Sequence, residues 1–502
     1  MKYKKISIAA MAAMMIGGVL LQDVEVKGNR YHQHLEVLPK AACTEHGADV
    51  FCTHLPLMQI SIEESMPNPY LLDAEGNPVV LENGEKAKNQ QTIPAKISYF
   101  DAEAANNHLT DNAAVTSRAE VRIRGNISRG YDKKGYKIKC KEDDQITNRK
   151  VELSGMTADS DWVLHGPYLD KTLLRNYLCY NLSGEIMEYA PNVRFCELFI
   201  NEEYMGVYLL TEDVKYNKNG RVMLEKSDPD LKETSYILLA DRGSDNPGKA
   251  LETFGADSFI TALPGRAGGQ MEIVYPAGTL TEEQRKYISK DFSAFEKALF
   301  SFDYDKKDRG YQNYIDVDSF IEYFLINELT MNYDAMGFST YLYKDIGGKL
   351  HLCVWDFNSA FDHYTESTSS PHTFRLQTKM WYQYLMKDPK FVDAVIERYW
   401  ELRKEEFNEE ALLQYVDDAA AYLGPAIERN YEKWGYSFAE ASDLLIPQER
   451  NPRSYEEAIR QLKATISERI AYMDESIERL QIMGHESLNK KFNHEDTEKG
   501  GF

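Results

Sequence analysis

The sequence predicts an α+β protein with a strand-rich N-terminal half and a mainly helical C-terminal half. Short runs up to about residue 210 alternate apolar and charged side chains, the period of a half-buried strand. After about residue 280 apolar residues recur every three or four positions, the period of packed helices. Within the helical half lies a hairpin flanked by two acids.

The strands come in order. Leu55 to Glu63 is the first, and Ala95 to Phe100 the second. Ala119 to Arg124 and Gly135 to Cys140 alternate clearly. Phe195 to Ile200 and Tyr204 to Leu210 form a hairpin around Asn201. One helix interrupts them, with Leu173, Leu174, Tyr177, Leu178 and Leu182 on a stripe. Thr281 to Phe302 and Asp318 to Met331 are helices, and helices dominate from Pro389 onward. The last carries Ile459, Leu462, Ile466, Ile470, Met473, Ile477 and Leu480. A coiled coil would use the same spacing, but a packed amphipathic helix needs no partner. Residues 54–235 therefore form the strand-rich part, and 236–484 the part with the acidic hairpin and the C-terminal helices.

That hairpin is the most informative stretch: DAMGFSTYLYKDIGGKLHLCVWDFNSAFD. Asp334 opens a loop, Thr340 to Tyr343 is a strand, Lys344 to Gly348 a turn, and Lys349 to Val354 a second strand. Asp356 follows at once. A hairpin brings its two ends together, so Asp334 and Asp356 become neighbours in space. Two such carboxylates suit a metal-assisted transfer: one holds a divalent cation, the other orients or deprotonates a nucleophile.

The 502 residues carry a net charge of −22, which argues against nucleic acid or an anionic membrane surface as the main partner. Lys2, Lys4 and Lys5 precede an uncharged run from Ile6 to Leu21, the pattern of a secretory signal peptide or an N-terminal membrane anchor over residues 1–21. Either puts the remainder outside the cytoplasm. Residues 22–53 read as a linker and 485–502 as a disordered, charged tail. Of the six cysteines, Cys43 and Cys52 close a short loop that suits a disulfide, and the other four lie in apolar runs as plain buried residues.

Three further segments carry candidate chemistry. Arg124-Gly-Asn126 turns into a strand bearing Lys133, Lys134 and Lys137, an arrangement that suits phosphate or serves as a solvated basic hairpin. DKTLLRN, residues 170–176, opens the helix, with Asp170 as its N-cap. NEEYMGVYLLTE contains Gly206, suited to close approach of another backbone, and ends at Glu212, suited to pair with a lysine.

Together and in this order, RGN…KKGYKIK, DKTLLRN, NEEYMGVYLLTE, NELTMNYDAM and STYLYKD…GGKL…VWDFNSAF resemble the spore-coat CotH kinase family of secreted, atypical protein kinases. The resemblance implies a two-lobed, protein-kinase-like fold with a rearranged N-lobe. It implies ATP and Mg²⁺ or Mn²⁺, and phosphoryl transfer to Ser or Thr of secreted or surface proteins at a bacterial cell surface. The acidic net charge adds a basic, Ser-rich acceptor as the expected partner, or simply keeps the protein soluble. The resemblance makes Asp334 the catalytic acid, Asp356 and Asn358 the metal side, and Lys133 or Lys134 the lysine that reaches the phosphates. Arg124 and Asn126 fall on the phosphate-side turn, and Arg175 and Glu212 on positions that help fix the lysine or the nucleotide. Two residues depart from the family pattern: Asn358 stands where many relatives have Asp, and Ser339 where many have Asn. These departures favour the alternative, a catalytically inactive kinase-like surface-binding protein. A metal-dependent hydrolase of polysaccharide or phosphate esters ranks below both.

Overall fold

The computed structural model describes residues 30–37, 50–82, 84–241, 251, 271–362, 370–439, 445 and 450–485. The signal or anchor segment, Cys43 and the tail beyond 485 lie outside the described residues. The chain divides into Met1–Tyr31 and His32–Phe502, and the strands and helices of the fold all belong to the second unit.

Seven strands close into a barrel. They are β1 (Leu57–Ile62), β2 (Ile93–Phe100), β3 (Val115–Arg124), β4 (Gly135–Lys141), β7 (Asp161–His165), β8 (Val193–Ile200) and β9 (Glu203–Glu212). The order is β1-β2-β3-β4-β7-β9-β8, and the seam is β1 running parallel to β8. The small pair β5 (Val151–Leu153) and β6 (Met156–Asp159) is a separate sheet whose Val151, Leu153 and Met156 join the barrel core. Closure leaves no edge strand to pair wrongly.

Alternation decides which side chains fill the barrel. Val121, Ile123, Tyr136, Ile138, Trp162, Leu164, Tyr208 and Leu210 share its interior core. The intervening residues, Arg122, Arg124, Lys137 and His165 among them, belong to the outer face.

A second core is built on the sheet β11-β10-β12-β13: β10 (Tyr236–Ala240), β11 (Met271–Tyr275), β12 (Thr340–Lys344) and β13 (His351–Cys353). Around it stand α1 (Arg175–Ile186), α2 (Glu282–Phe300), α3 (Val317–Leu329), α4 (Pro389–Leu402), α5 (Glu409–Leu423), α6 (Pro425–Trp434) and α7 (Tyr455–Ser476). Helix starts follow capping chemistry. Thr281 and Gln284 exchange side-chain and backbone hydrogen bonds, and Asp316, Asn408 and Ser454 each accept an amide of the first turn.

The α+β division and the expected strands are present, with two differences. First, α1 begins at Arg175, because Leu173 has φ +65° and cannot continue a right-handed helix. Residues 175–183 are buried on every side rather than along one stripe, since α1 packs on β8 and α3. Asp170 is not the N-cap residue, but its carboxylate still accepts the Arg175 amide at 2.9 Å. Second, within the span read as a linker, Gln33–Glu36 forms a helical turn. The buried Gln33 amide exchanges two hydrogen bonds with the Phe195 backbone, much as a strand neighbour would. As the sequence predicts, α7 packs against α5 and α3 of its own chain as an amphipathic helix rather than a coiled coil. Cys140, Cys179, Cys196 and Cys353 are buried thiols.

Gly206 does admit a close approach, but of side chains. It has φ +96°, and a Cβ there would stand 2.5 Å from Asn430 Oδ1 and 2.9 Å from Trp434 Nε1 on α6. Neither atom is free to move. Asn430 Oδ1 accepts from Lys133 and from the Val207 amide, and Trp434 Nε1 donates to Met205 O. Gly206→Ala is therefore expected to destabilise the chain by about 2–4 kcal/mol, from left-handed strain plus overpacking. A denaturant titration matching the wild type would contradict this packing.

Candidate functional site

One cleft gathers most of the chemically marked residues. Its lining includes Arg122, Arg124, Gly125 and Asn126 from the outer face and end of β3. His165 and Asp170 come from β7 and the segment after it, and Asp241 follows β10. The hairpin contributes Asp334, Ser339, Trp355, Asp356 and Asn358. The register Tyr341↔Cys353, Leu342↔Leu352 and Tyr343↔His351 makes β12 and β13 the expected hairpin, with Asp334 and Asp356 at its open end.

Asp356 has φ +59°. Few residues other than glycine accept this conformation, and Asp and Asn are among those that do. Helix α1 holds the loop from behind. The Asp356 amide donates to the Tyr180 hydroxyl at 3.0 Å, and the Phe357 amide to Asn176 Oδ1 at 2.9 Å. Asn176 Nδ2 donates in turn to Asn358 Oδ1 at 2.8 Å and to His165 Nε2 at 3.1 Å. Arg175 Nε donates to Ala360 O at 3.0 Å, while its guanidinium pairs with Asp170 at 2.6 Å. Burial, helped by the nearby Arg124 charge, drives the His165 pKa down to about 3. His165 is thus neutral near pH 7 and uses Nε2 as an acceptor.

Asp334 sits in an equally constrained turn. Its carbonyl accepts the amides of Gly337 and Phe338 at 2.9 and 2.8 Å. Met336 and Ser339 have φ +62° and +51°. The Thr340 hydroxyl accepts the Met336 amide and donates to Phe338 O, so the first residue of β12 closes the loop onto itself. Backbone strain of this kind persists only where the surroundings over-determine it.

The Arg124–Asn126 turn faces these acids. Gly125 has φ +102°, and a Cβ there would fall 2.2 Å from Ser128 Oγ, so only glycine fits. The buried Arg129 fastens the turn through Gly125 O and Pro69 O. The Arg124 guanidinium lies 5.3 Å from the Trp355 ring centroid, beside the Asp356 loop.

Arg124, Asn126, Asp334, Asp356 and Asn358 are thus brought together, with Ser339 among them. Lys133, Lys134, Arg175 and Glu212 do not line the cleft. Lys133 is buried, donates to Asn430 Oδ1 at 2.7 Å and lies 5.2 Å from the Tyr208 ring centroid. Burial and then the neighbouring Lys171 hold its pKa well below the ordinary lysine value. Lys134 Nζ is bonded to Tyr131 O. Glu212 is inside the barrel, accepting from Asn192 and 3.9 Å from Arg221, so its cation is an arginine and not a lysine.

Lys137 and Lys139 of KKGYKIK share the outer barrel face and do not line the cleft either, but Lys137 is the one paired across the strands with a cleft residue. It sits opposite Arg122 in the β3–β4 register, on the same face, and its ammonium pairs with Asp213 at 2.6 Å. Burial pushes the Asp213 carboxyl up, but Lys137 more than offsets this and leaves it below the usual range. The alternation of KKGYKIK already excluded Tyr136 and Ile138 from that face. Only the course of the turn, invisible in sequence, excluded Lys133 and Lys134. Asn176 ends DKTLLRN, but nothing local in the sequence marks it as the residue that holds the Asp356 loop.

A divalent cation fits the donor set. Asp356 offers a carboxylate and Asn358 an amide oxygen. Mg²⁺ and similar ions are commonly held by one or two protein carboxylates plus substrate phosphates. Among the described residues no group of three or more His, Cys, Asp or Glu is placed to hold an ion alone. The phosphates would have to complete the shell.

The CotH kinase protein family model matches residues 121–473, which covers most of the chain and every cleft residue from Arg122 to Asn358. The chain belongs to this family, whose members are kinase-like. No curated protein matches it.

Proposed function

We propose that this protein transfers the γ-phosphoryl group of ATP to a Ser or Thr hydroxyl of secreted or surface proteins, of the spore-coat kind. The barrel and the helical part would act as the two lobes of a kinase-like fold. The observation that carries this reading is the pair Asp334 and Asp356, held at one end of a hairpin and facing the Arg124–Asn126 turn within a single cleft.

Each residue has a role in this reading. Asp334 orients the acceptor hydroxyl and takes its proton as the oxygen attacks the γ-phosphorus. The bond from that phosphorus to the β–γ bridging oxygen breaks, and the electron pair leaves with ADP. Asp356 and Asn358 would hold Mg²⁺ or Mn²⁺, which supplies charge neutralisation at the phosphates. Arg124 and the backbone of the Gly125 turn face the phosphates, and Lys137, oriented by Asp213, adds positive charge from the same face. The catalysis asked of the protein is positioning and electrostatics. The chain would work outside the cytoplasm, released or anchored through residues 1–21. Its acceptor would be basic and Ser-rich, in keeping with the acidic net charge.

Two lysine variants separate this assignment from the one read in the sequence. Lys137→Met is expected to raise the KM for ATP by roughly tenfold or more, the cost of a charge-assisted phosphate contact. Lys133→Met is expected to leave that KM within about twofold and to act on stability instead. The reverse ranking would return the role to Lys133. Acid hydrolysis of an acceptor labelled from γ-³²P ATP, with either metal, tests the Ser/Thr assignment: phosphotyrosine alone would refute it.

A further inference from the structure

A lysine far along the chain grips the loop that carries Asp334. Lys379 lies just beyond the short turn Leu376–Thr378. Its ammonium donates to Tyr333 O at 2.9 Å and to Ala335 O at 3.0 Å. These are the carbonyls on either side of Asp334. We propose that Lys379 is a positioning residue for phosphoryl transfer, which fixes the Asp334 backbone by bridging its two neighbours. This inference rests on the kinase reading of the same cleft.

The surroundings support a built clamp rather than a passing contact. The Arg375 guanidinium lies 3.8 Å from the Tyr333 ring centroid, covering the residue from which the clamp hangs. The amides of Arg375 and Leu376 both donate to Glu328 Oε1 at the end of α3. Arg469 of α7 pairs with Glu328 at 2.7 Å and donates to Pro371 O and Thr373 O. The segment from Pro371 to Lys379 is therefore tied at one end to the buried α3–α7 pair and at the other to the Asp334 loop. Lys379 does not line the cleft, so its action on the reaction passes through Asp334.

The charged groups facing Lys379 are Arg375 on its own segment, Glu328 on α3 and Asp334 on the loop. Burial, then Arg375, lowers its pKa from the ordinary lysine value to about 8, against the opposing pull of Glu328 and Asp334. Because the folded value is depressed, the charged clamp is complete below about pH 8 and is lost as the pH rises through it. A neutral amine binds two carbonyls far less well than an ammonium. An alkaline fall in kcat with its midpoint near pH 8 follows, and an arginine at this position would not show it.

Three forms of the full chain test this: wild type, Lys379→Met and Lys379→Arg. Two readouts are used, and the first needs no activity. Hydrogen exchange at a fixed pH reports the amides of Gly337 and Phe338, which bond to Asp334 O. Their protection is expected to fall at least about tenfold in Lys379→Met, with α7 unchanged, and to be kept in Lys379→Arg. Unchanged protection in Lys379→Met would overturn the clamp. The second readout is the pH profile of transfer. Lys379→Met is expected to lose about 10–100-fold in kcat at pH 7 with the KM for ATP little changed, since a small misplacement of a reacting group has this effect. Lys379→Arg is expected to abolish the fall near pH 8. An alkaline limb that persists in Lys379→Arg, or a Lys379→Met enzyme with wild-type kcat, would overturn the positioning role. Should the wild type transfer no phosphate, the kinase reading fails while exchange still decides whether Lys379 sets the loop.

Discussion

Asp356→Asn is expected to lower phosphoryl transfer by about a thousandfold or more while leaving the fold intact. A bound cation stabilises transition-state charge by several kcal/mol, and each roughly 1.4 kcal/mol is a factor of ten in rate. The amide keeps an oxygen at the same place but takes the carboxylate away from the metal side, where residue 358 is already an amide. Asparagine is the right replacement here. Asp356 has φ +59°, a conformation asparagine tolerates and alanine resists, so Asp356→Ala would mix strain with the loss of charge. The Tyr180 and Asn176 bonds that hold this loop go to backbone amides and to Asn358, none of which the substitution touches. Circular dichroism and thermal unfolding are expected to match the wild type. A variant that unfolds would mean that the carboxylate is structural.

The largest loss of stability is expected from Arg469→Met. Arg469 and Glu328 both have 0 % side-chain exposure, and their contact is 2.7 Å. Burial already raises the Glu328 pKa even with Arg469 alongside. Removing the cation leaves a buried carboxylate with two amide donors and without its ion pair, only the charges of Arg375 and Lys379 nearby, a situation that costs about 3–5 kcal/mol. Protonation of Glu328 limits the cost, so the defect is expected to shrink as pH falls. Removing the charge from the partner as well, in Arg469→Met with Glu328→Gln, is expected to recover part of the loss, since a neutral buried pair leaves no unpaired ion. Chemical denaturation of the wild type and the two variants checks the order. Equal stability of Arg469→Met and wild type would show that this pair does not hold the Pro371–Lys379 segment.

The residues behind these two results differ in how legible they are in the sequence. The barrel strands are readable because a closed sheet buries every second residue, and a period of two survives in sequence. Closure itself is not: the parallel β1–β8 seam joins residues 57–60 to 197–200, and no local pattern encodes a contact at that separation. The acid pair is readable because β12, a turn and β13 are consecutive. Neither of the two lysines offered for the phosphates lines the cleft, because their directions depend on the single helical turn Ser128–Gly130 and on Asn430, nearly three hundred residues from Lys133. The strand alternation identifies Lys137 as outward-facing only once the inside of the barrel is known. The latch formed by Asn176 and the clamp formed by Lys379 are side chain to backbone bonds across long sequence distances. Such bonds leave no periodicity behind.

The departures at Ser339 and Asn358 take on a physical meaning in the fold. Ser339 sits at φ +51° in the Asp334 loop and lines the cleft. Asn358 is bonded to Asn176 and so braces the loop that carries Asp356, whether or not it also meets a cation. An aspartate there would accept the same Asn176 donor and add a charge. The expected consequence is weaker metal affinity rather than a disordered site.

The most direct test of the central claim is transfer of label from γ-³²P ATP, with Mg²⁺ or Mn²⁺ and a basic Ser-rich acceptor, by the wild type and Asp356→Asn side by side. Label on the acceptor or on the protein itself, reduced about a thousandfold in the variant, is the expected result. Equal labelling by the two proteins, or no labelling by a folded wild type with either metal, would contradict phosphoryl transfer at this cleft and favour the rival reading of a CotH-family protein that transfers no phosphate.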